Sequence, residues 1–209
     1  MLYTQTVESA TLELLKQLMT IPELNKFVLA GGTNLSLRLG HRISVDLDLF
    51  TNEPFDITLV KQSIHDHFND KAIRLDETKQ SLWYLINGVK TDIILHQYPY
   101  IAPVMKDCGI RLLSIPDIIP MKLGAAGRGA KKDFGDIAEL LDTYSIAEMM
   151  TFYKEKYSSD DIGYILRSLV YFDDAESHTD PVSVKKVIWP QIKSKIESAV
   201  KNYATKRTG

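Results

Sequence analysis

Three aspartates carry the chemistry this sequence offers most directly. Asp46 and Asp48 stand two residues apart in ISVDLDLF, where Ile43, Val45, Leu47 and Leu49 alternate with Ser44, Asp46, Asp48 and Phe50. That period predicts a strand over residues 43–50 with both carboxylates on one side, about 6 to 7 Å apart at the α-carbons. Two like charges held so close call for a counter-ion, and hard oxygen ligands suit Mg²⁺ or Mn²⁺. Asp92 adds a third carboxylate in VKTDIIL, beside Ile93, Ile94 and Leu95, where an unpaired charge is costly to bury. Three carboxylates meet the need of a two-metal phosphoryl-transfer site. The plain alternative is that each lies exposed on a half-solvated sheet.

Phosphate chemistry has candidates on either side of these acids. Gly31 and Gly32 open a short apolar helix about fifteen residues before the Asp-x-Asp, and free N–H groups at a helix N-terminus attract phosphate oxygens. Thr33 or Asn34 could add a side-chain donor, although tight backbone packing is the usual reason for such a glycine pair. Further on, Lys122, Arg128, Lys131 and Lys132 place four cations in eleven residues with no acid among them, a plausible clamp for a triphosphate or an acceptor phosphate. Asp133 and Asp136 follow at i and i+3 on one helix face. A cation-rich loop with local ion pairs is the alternative reading. His41 reads as structural, in a turn, and Cys108, the sole cysteine, as a small inert side chain.

The elements that must position these groups run in a clear order. Residues 6–18 have helical spacing and end before Pro22; residues 26–30 read as a short buried strand, followed by a helix that Gly40 stops. Residues 57–68 read as a helix. The runs 81–86 and 89–95 are joined by Asn87-Gly88, a hairpin signal. After a short strand at 110–113 the pattern turns helical. Helices are expected from Ser114 to the break at Gly127 and Gly129, then over 131–143, 146–157, 160–171 and 183–203, with an acidic loop at Asp173, Asp174 and Glu176. The change near Ser114 is the one subdomain boundary in view, dividing a core at 1–113 from a helical half at 114–209.

Composition narrows the field. The chain has the apolar content of an ordinary folded protein, and no apolar run reaches the roughly 20 residues of a membrane span. With no secretory pattern at the N-terminus, the expected location is the cytoplasm and no membrane partner is expected. A formal net charge of −2 argues against a nucleic-acid coat protein, yet Lys185, Lys186, Lys193, Lys195, Lys201, Lys206 and Arg207 face a single acid, Glu197. That tail could touch RNA, or could be the solvated face of a terminal helix.

Taken together, these residues resemble the nucleotidyltransferase superfamily, and more closely the AbiEii/AbiGii family of toxin-type nucleotidyltransferases. GGTNLSLRLGHRISVDLDLF is similar to that family's opening signature, with Gly31-Gly32, Leu35, Gly40-His41-Arg42, Ser44 and Asp46-x-Asp48 in order. KLGAAGRGAKKDFGD is similar to its later motif at Lys122, Arg128, Lys132, Asp133 and Asp136, with Gly135 departing from an apolar or aromatic position. The resemblance covers residues 28–141.

It implies a minimal α+β (α/β) nucleotidyltransferase fold, a mixed β-sheet flanked by helices and followed by a helical C-terminal half. It also implies an enzyme that moves an NMP unit from an NTP to a hydroxyl acceptor, tRNA or a protein, with an antitoxin as a possible partner. Asp46, Asp48 and Asp92 would bind metal; Lys122 and Asp133 would join them in catalysis. Gly31, Gly32, Thr33, Arg42, Ser44, Lys122, Arg128, Lys131 and Asp136 would bind nucleotide. Other readings are an antibiotic-type nucleotidyltransferase, a metal-dependent glycosyltransferase, or a nucleotide-binding or partner-binding module without turnover.

Overall fold

The computed structural model describes the backbone of residues 1–208 and the side chains of residues 1–206. Its α-carbon contacts divide the chain into two compact units, one of Met1–Gly40 and Ser44–Ser114, the other of His41–Ile43 and Ile115–Gly209.

The first unit contains, in order, α1 (Ser9–Thr20), β1 (Val28–Leu29), α2 (Gly31–Leu39), β2 (Leu47–Thr51), α3 (Ile57–Phe68), β3 (Ala72–Thr78), β4 (Ser81–Ile86), β5 (Val89–Leu95), β6 (Met105–Asp107) and β7 (Ile110–Leu112). The strands form one mixed sheet in the order β3-β4-β5-β2-β1-β7-β6. β2 runs parallel to β5 and antiparallel to β1, while β1 is parallel to β7. Asn87 and Gly88, both at positive φ, make the expected hairpin. The core beneath the sheet is apolar, with Leu14, Leu15, Leu18, Phe27, Leu47, Leu82 and Ile93 essentially sealed from solvent. Arg111 reaches back from β7 and donates to the carbonyls of Met19, Leu24 and Phe27 at 2.8 to 2.9 Å, satisfying backbone groups where α1 ends and the next turn begins.

The second unit is helical: α4 (Ile115–Ala126), α5 (Lys131–Leu140), α6 (Ile146–Tyr157), α7 (Gly163–Leu169), α8 (Asp173–Glu176) and α9 (Trp189–Thr208). α4 packs on α5, α6 and α7, and α9 closes against α5, α6 and α7. Ser145 and Glu148 form a reciprocal capping box at the start of α6. Phe134, Phe172 and Trp189 meet as an aromatic cluster with centroids 5.2 to 5.8 Å apart. Between α6 and α4, Lys156 and Asp117 form an ion pair at 2.8 Å with both side chains fully buried.

Several expected boundaries move, each for a local reason. The strand expected over 43–50 begins only at Leu47; Val45 is 52% exposed, and the Ile43 N–H bonds to the Val182 carbonyl in the second unit. The last helix starts at Trp189 rather than Ser183, because Ser183 is held extended in a bridge with Arg42. The helix expected over 160–171 is shorter, and the acidic loop winds into the single turn of α8. A hairpin went unread: Cys108 and Gly109, both at positive φ, turn β6 into β7.

Candidate active site

In the first unit the geometry is built around β2 and β5. Their parallel register sets Asp48 directly level with Asp92, so the two carboxylates leave the same face of the sheet about 4.8 Å apart at the backbone. Asp92 is 13% exposed; its Oδ1 is buried and accepts no hydrogen bond, while Lys90 Nζ stands 3.6 Å from Oδ2. Burial pushes the Asp92 carboxyl above its ordinary value; Lys90 opposes that shift and the charge of Asp46 adds to it. Asp46 thus lies close enough for its charge to be felt, although it precedes β2 rather than sitting in it.

The glycine pair is fitted to this strand. Gly31 begins α2 at φ +63°, and a β-carbon there would come within 2.8 Å of the Asp48 carboxyl carbon and closer still to Oδ2. The Ala30 N–H donates to the Asp48 carbonyl at 2.8 Å. The start of the helix and the Asp48 side chain therefore share one space. Thr33 is buried, its Oγ1 2.9 Å from Ser44 Oγ and its hydroxyl donating to the Asp46 carbonyl, so Thr33 and Ser44 fix the chain at Asp46. The Asn34 amide donates to the carbonyls of Leu29 and Leu113, which takes it away from a phosphate role.

The second unit gathers the other predicted residues into a buried network. Asp136 is fully buried and accepts from Arg42 Nε at 2.6 Å, Arg42 Nη2 at 3.0 Å and His41 Nε2 at 2.7 Å. Lys122 Nζ lies 2.7 Å from both Asp133 and Asp136. Burial alone would push the Asp136 carboxyl up, but Lys122 and Arg42, with hydrogen bonds from His41 and Arg42, hold it well below the usual carboxylate range. Burial would likewise lower Lys122, and the charges of Asp136 and Asp133 outweigh it to raise the ammonium above its ordinary value. Two cations and two carboxylates balance, which is how a charged cluster survives inside a protein.

The remaining cations are dispersed. Lys131 pairs with Asp180 at 2.8 Å and lies 5.4 Å from the centroid of Trp189, while Arg128 is exposed in the turn before α5. Of the basic run after Pro181, Lys185 pairs with Glu139, Lys193 with Glu176 and Lys195 with Asp142. The Arg207 side chain lies outside the described residues.

Hard oxygen donors are the right chemistry for a divalent cation, and the orphaned Oδ1 of Asp92 has the unmet capacity that such an ion would fill. Among the described residues, no three His, Cys, Asp or Glu side chains stand as a ready-made coordination sphere. The strands supply instead a level pair, Asp48 and Asp92, with Asp46 nearby.

A mixed sheet carrying that pair beside a glycine-opened helix, followed by a helical C-terminal region, defines the chain by class as a nucleotidyltransferase. Residues 13–206 match the family described as nucleotidyl transferase AbiEii toxin, type IV toxin–antitoxin system, and the chain belongs to that family. It is 34% identical over 201 residues to the uncharacterized protein aq_aa25 of Aquifex aeolicus (strain VF5), covering 91% of this chain and 94% of the relative. Its fold is similar to that of a candidate nucleotidyltransferase from H. pylori, with a TM-score of 0.57 at 19% identity over 95% of this chain and 96% of the other. It is also similar to MenT4, nucleotidyltransferase toxin Rv2826c from Mycobacterium tuberculosis H37Rv, with a TM-score of 0.52 at 14% identity over 92% and 84%. No helix among the described residues is long and apolar enough to cross a membrane.

Proposed function

We propose that the protein is a metal-dependent nucleotidyltransferase that moves an NMP unit from an NTP to a hydroxyl of tRNA or of a protein, as the toxin of a toxin–antitoxin pair. The observation that carries this reading is the level pairing of Asp48 with Asp92, whose buried Oδ1 has no partner. Asp46, Asp48 and Asp92 would hold Mg²⁺ or Mn²⁺. When bound, such an ion neutralises phosphate oxygens and lowers the pKa of the attacking hydroxyl.

The chain's own residues do the rest. Backbone N–H groups of Gly31, Gly32 and Thr33 at the start of α2 receive the β- and γ-phosphate oxygens. Asp92, the desolvated carboxylate, takes the proton of the acceptor hydroxyl as its oxygen bonds to the α-phosphorus and the bond to the pyrophosphate oxygen breaks. Thr33 and Ser44 keep Asp46 in place. Lys122, Arg42, Asp133 and Asp136 act as a positioning network for residues 41–43, which lead along the chain to Asp46.

An α-labelled NTP panel incubated with Mg²⁺ and total RNA or cell extract tests this. Label should pass to one macromolecular class and be lost with Asp46→Ala. Absence of any transfer that depends on Asp46 ends the reading.

A further inference from the structure

Trp83 stands beside the carboxylate pair and has no part in the transfer chemistry above. β4 alternates strictly: Leu82, Tyr84 and Ile86 are buried in the core, so Ser81, Trp83 and Leu85 lie on the opposite face of the sheet. The antiparallel register sets Trp83 opposite Asp92, and the parallel register of β5 with β2 sets Asp92 opposite Asp48. One row therefore crosses three strands as Asp48, Asp92 and Trp83, in steps of about 4.8 Å. Trp83 is half-buried. Burial raises the Asp92 carboxyl, and both Lys90 and the Trp83 indole N–H oppose that rise, so the indole is turned toward the carboxylate. Leu85, and Ile73 opposite it on β3, extend an apolar floor beside the indole, with Ile73 56% exposed.

The two ends of this row differ. At one, Gly31 opens α2 against Asp48 and offers N–H groups to phosphate oxygens. At the other stands Trp83. In an in-line displacement the attacking and leaving oxygens lie on opposite sides of the phosphorus. With the β- and γ-phosphates on the α2 side, the acceptor hydroxyl enters from the Asp92 side, and Trp83 is the next side chain across the sheet. Lys90, two residues before Asp92 and so on the same face about 7 Å away, is 52% exposed. A flat indole, a carboxylate and an ammonium at these spacings match the base, the terminal hydroxyl and the phosphate of one nucleotide. A serine or threonine hydroxyl of a protein brings neither base nor phosphate to the flanking places. Asp76, exposed opposite Trp83 on β3, repels phosphate on the outer side and leaves the Lys90 side for the backbone.

We propose that Trp83 is the acceptor-side specificity residue, on which the 3′-terminal base of a single-stranded RNA stacks while Lys90 meets the last internucleotide phosphate. The terminal hydroxyl then lies at Asp92. The assignment rests on the nucleotidyl-transfer reading for its direction, and selects RNA over protein among the acceptors of that reading.

Nuclear magnetic resonance on the full chain, without NTP or divalent ion, tests the contact apart from transfer. The chain has two tryptophans, and Trp83→Phe or Trp189→Phe assigns their indole N–H resonances. A pentaribonucleotide ending in adenosine should shift the Trp83 resonance and leave that of Trp189 in place. The same RNA with an abasic 3′-terminal ribose should bind about tenfold more weakly. Trp83→Leu should erase that difference and Trp83→Phe should keep most of it, a rescue that a purely structural tryptophan would not give. Lys90→Gln should weaken both RNAs alike and lower the salt dependence by about one counter-ion. Should Trp83→Leu fail to fold, the abasic comparison in the unaltered protein decides. Equal binding of the two RNAs, an unmoved Trp83 resonance, or a serine peptide that moves it where RNA does not, overturns the proposal. A protein that shifts as expected yet labels no acceptor keeps the RNA contact and loses the transfer reading.

Discussion

Gly31 and Asp48 are fitted to each other so closely that the first residue of α2 has no room for a side chain: a β-carbon would stand 2.8 Å from the Asp48 carboxyl carbon. The glycine also sits at φ +63°, where a side chain is strained whatever the space. One atom added at residue 31 must therefore displace a carboxylate that the proposed site depends on.

Gly31→Ala is accordingly expected to lower transfer about 10²-fold, the scale of an ångström-level misplacement of a reacting group. The backbone strain should cost about 1 to 3 kcal/mol in stability. Steady-state transfer rates beside thermal melts check both. Parental activity in the variant would show that Asp48 need not hold its place.

Asp92→Asn should separate stability from function. Burial raises the Asp92 carboxyl, so the folded state favours its protonated form, and stability falls as pH rises from the ordinary carboxylate value through the raised one. The amide removes that loss. Its melting advantage over the parent should grow across that interval when no divalent ion is added, while Mg²⁺-dependent transfer disappears. Melting curves at several pH values, with and without Mg²⁺, make the comparison.

Asp136→Asn should be severe. It leaves the Arg42 and Lys122 charges buried with half their compensation, a loss of about 3 to 5 kcal/mol. The Asp136 carboxyl is depressed, so its contribution is complete above the ordinary carboxylate pKa of about 3.9 and is lost as pH falls through the lower folded value. Acid titration of the parent should show that loss, and the variant should lack it. Equal acid stability of the two proteins would contradict the assignment.

The Lys156–Asp117 pair offers a control away from any proposed site. Lys156→Met alone should cost about 3 to 5 kcal/mol by stranding a buried carboxylate, whereas Lys156→Met with Asp117→Leu should be near neutral. Urea melts of both variants decide it. An additive pair of losses would mean that packing, rather than charge, holds α4 to α6.

What could be read in advance follows the range of the interactions involved. The Asn87-Gly88 hairpin and the Gly40 stop depend on a few adjacent residues and on backbone preference, and both are found as expected. The alternation of residues 43–50 misled at its start because the Ile43 N–H bonds to the carbonyl of Val182, some 140 residues away, a partner that no local spacing reveals. Asp46-x-Asp48 was visible as a pattern, but its relation to Asp92 needs the parallel register of β2 with β5, which no local spacing encodes. The burial of Lys122 and Arg42 on Asp136 was equally hidden, since a cation in a sequence looks the same whether it awaits a phosphate or is already neutralised.

The passage of His41, Arg42 and Ile43 through the second unit also bears on synthesis. The chain emerges N-terminus first, and Asp136 follows Arg42 by 94 residues and His41 by 95. Asp48 and Asp92 are thus translated well before the carboxylate that anchors the segment leading to Asp46. A nascent chain halted between Asp92 and the start of α5 carries every carboxylate of the proposed metal site and still lacks that anchor.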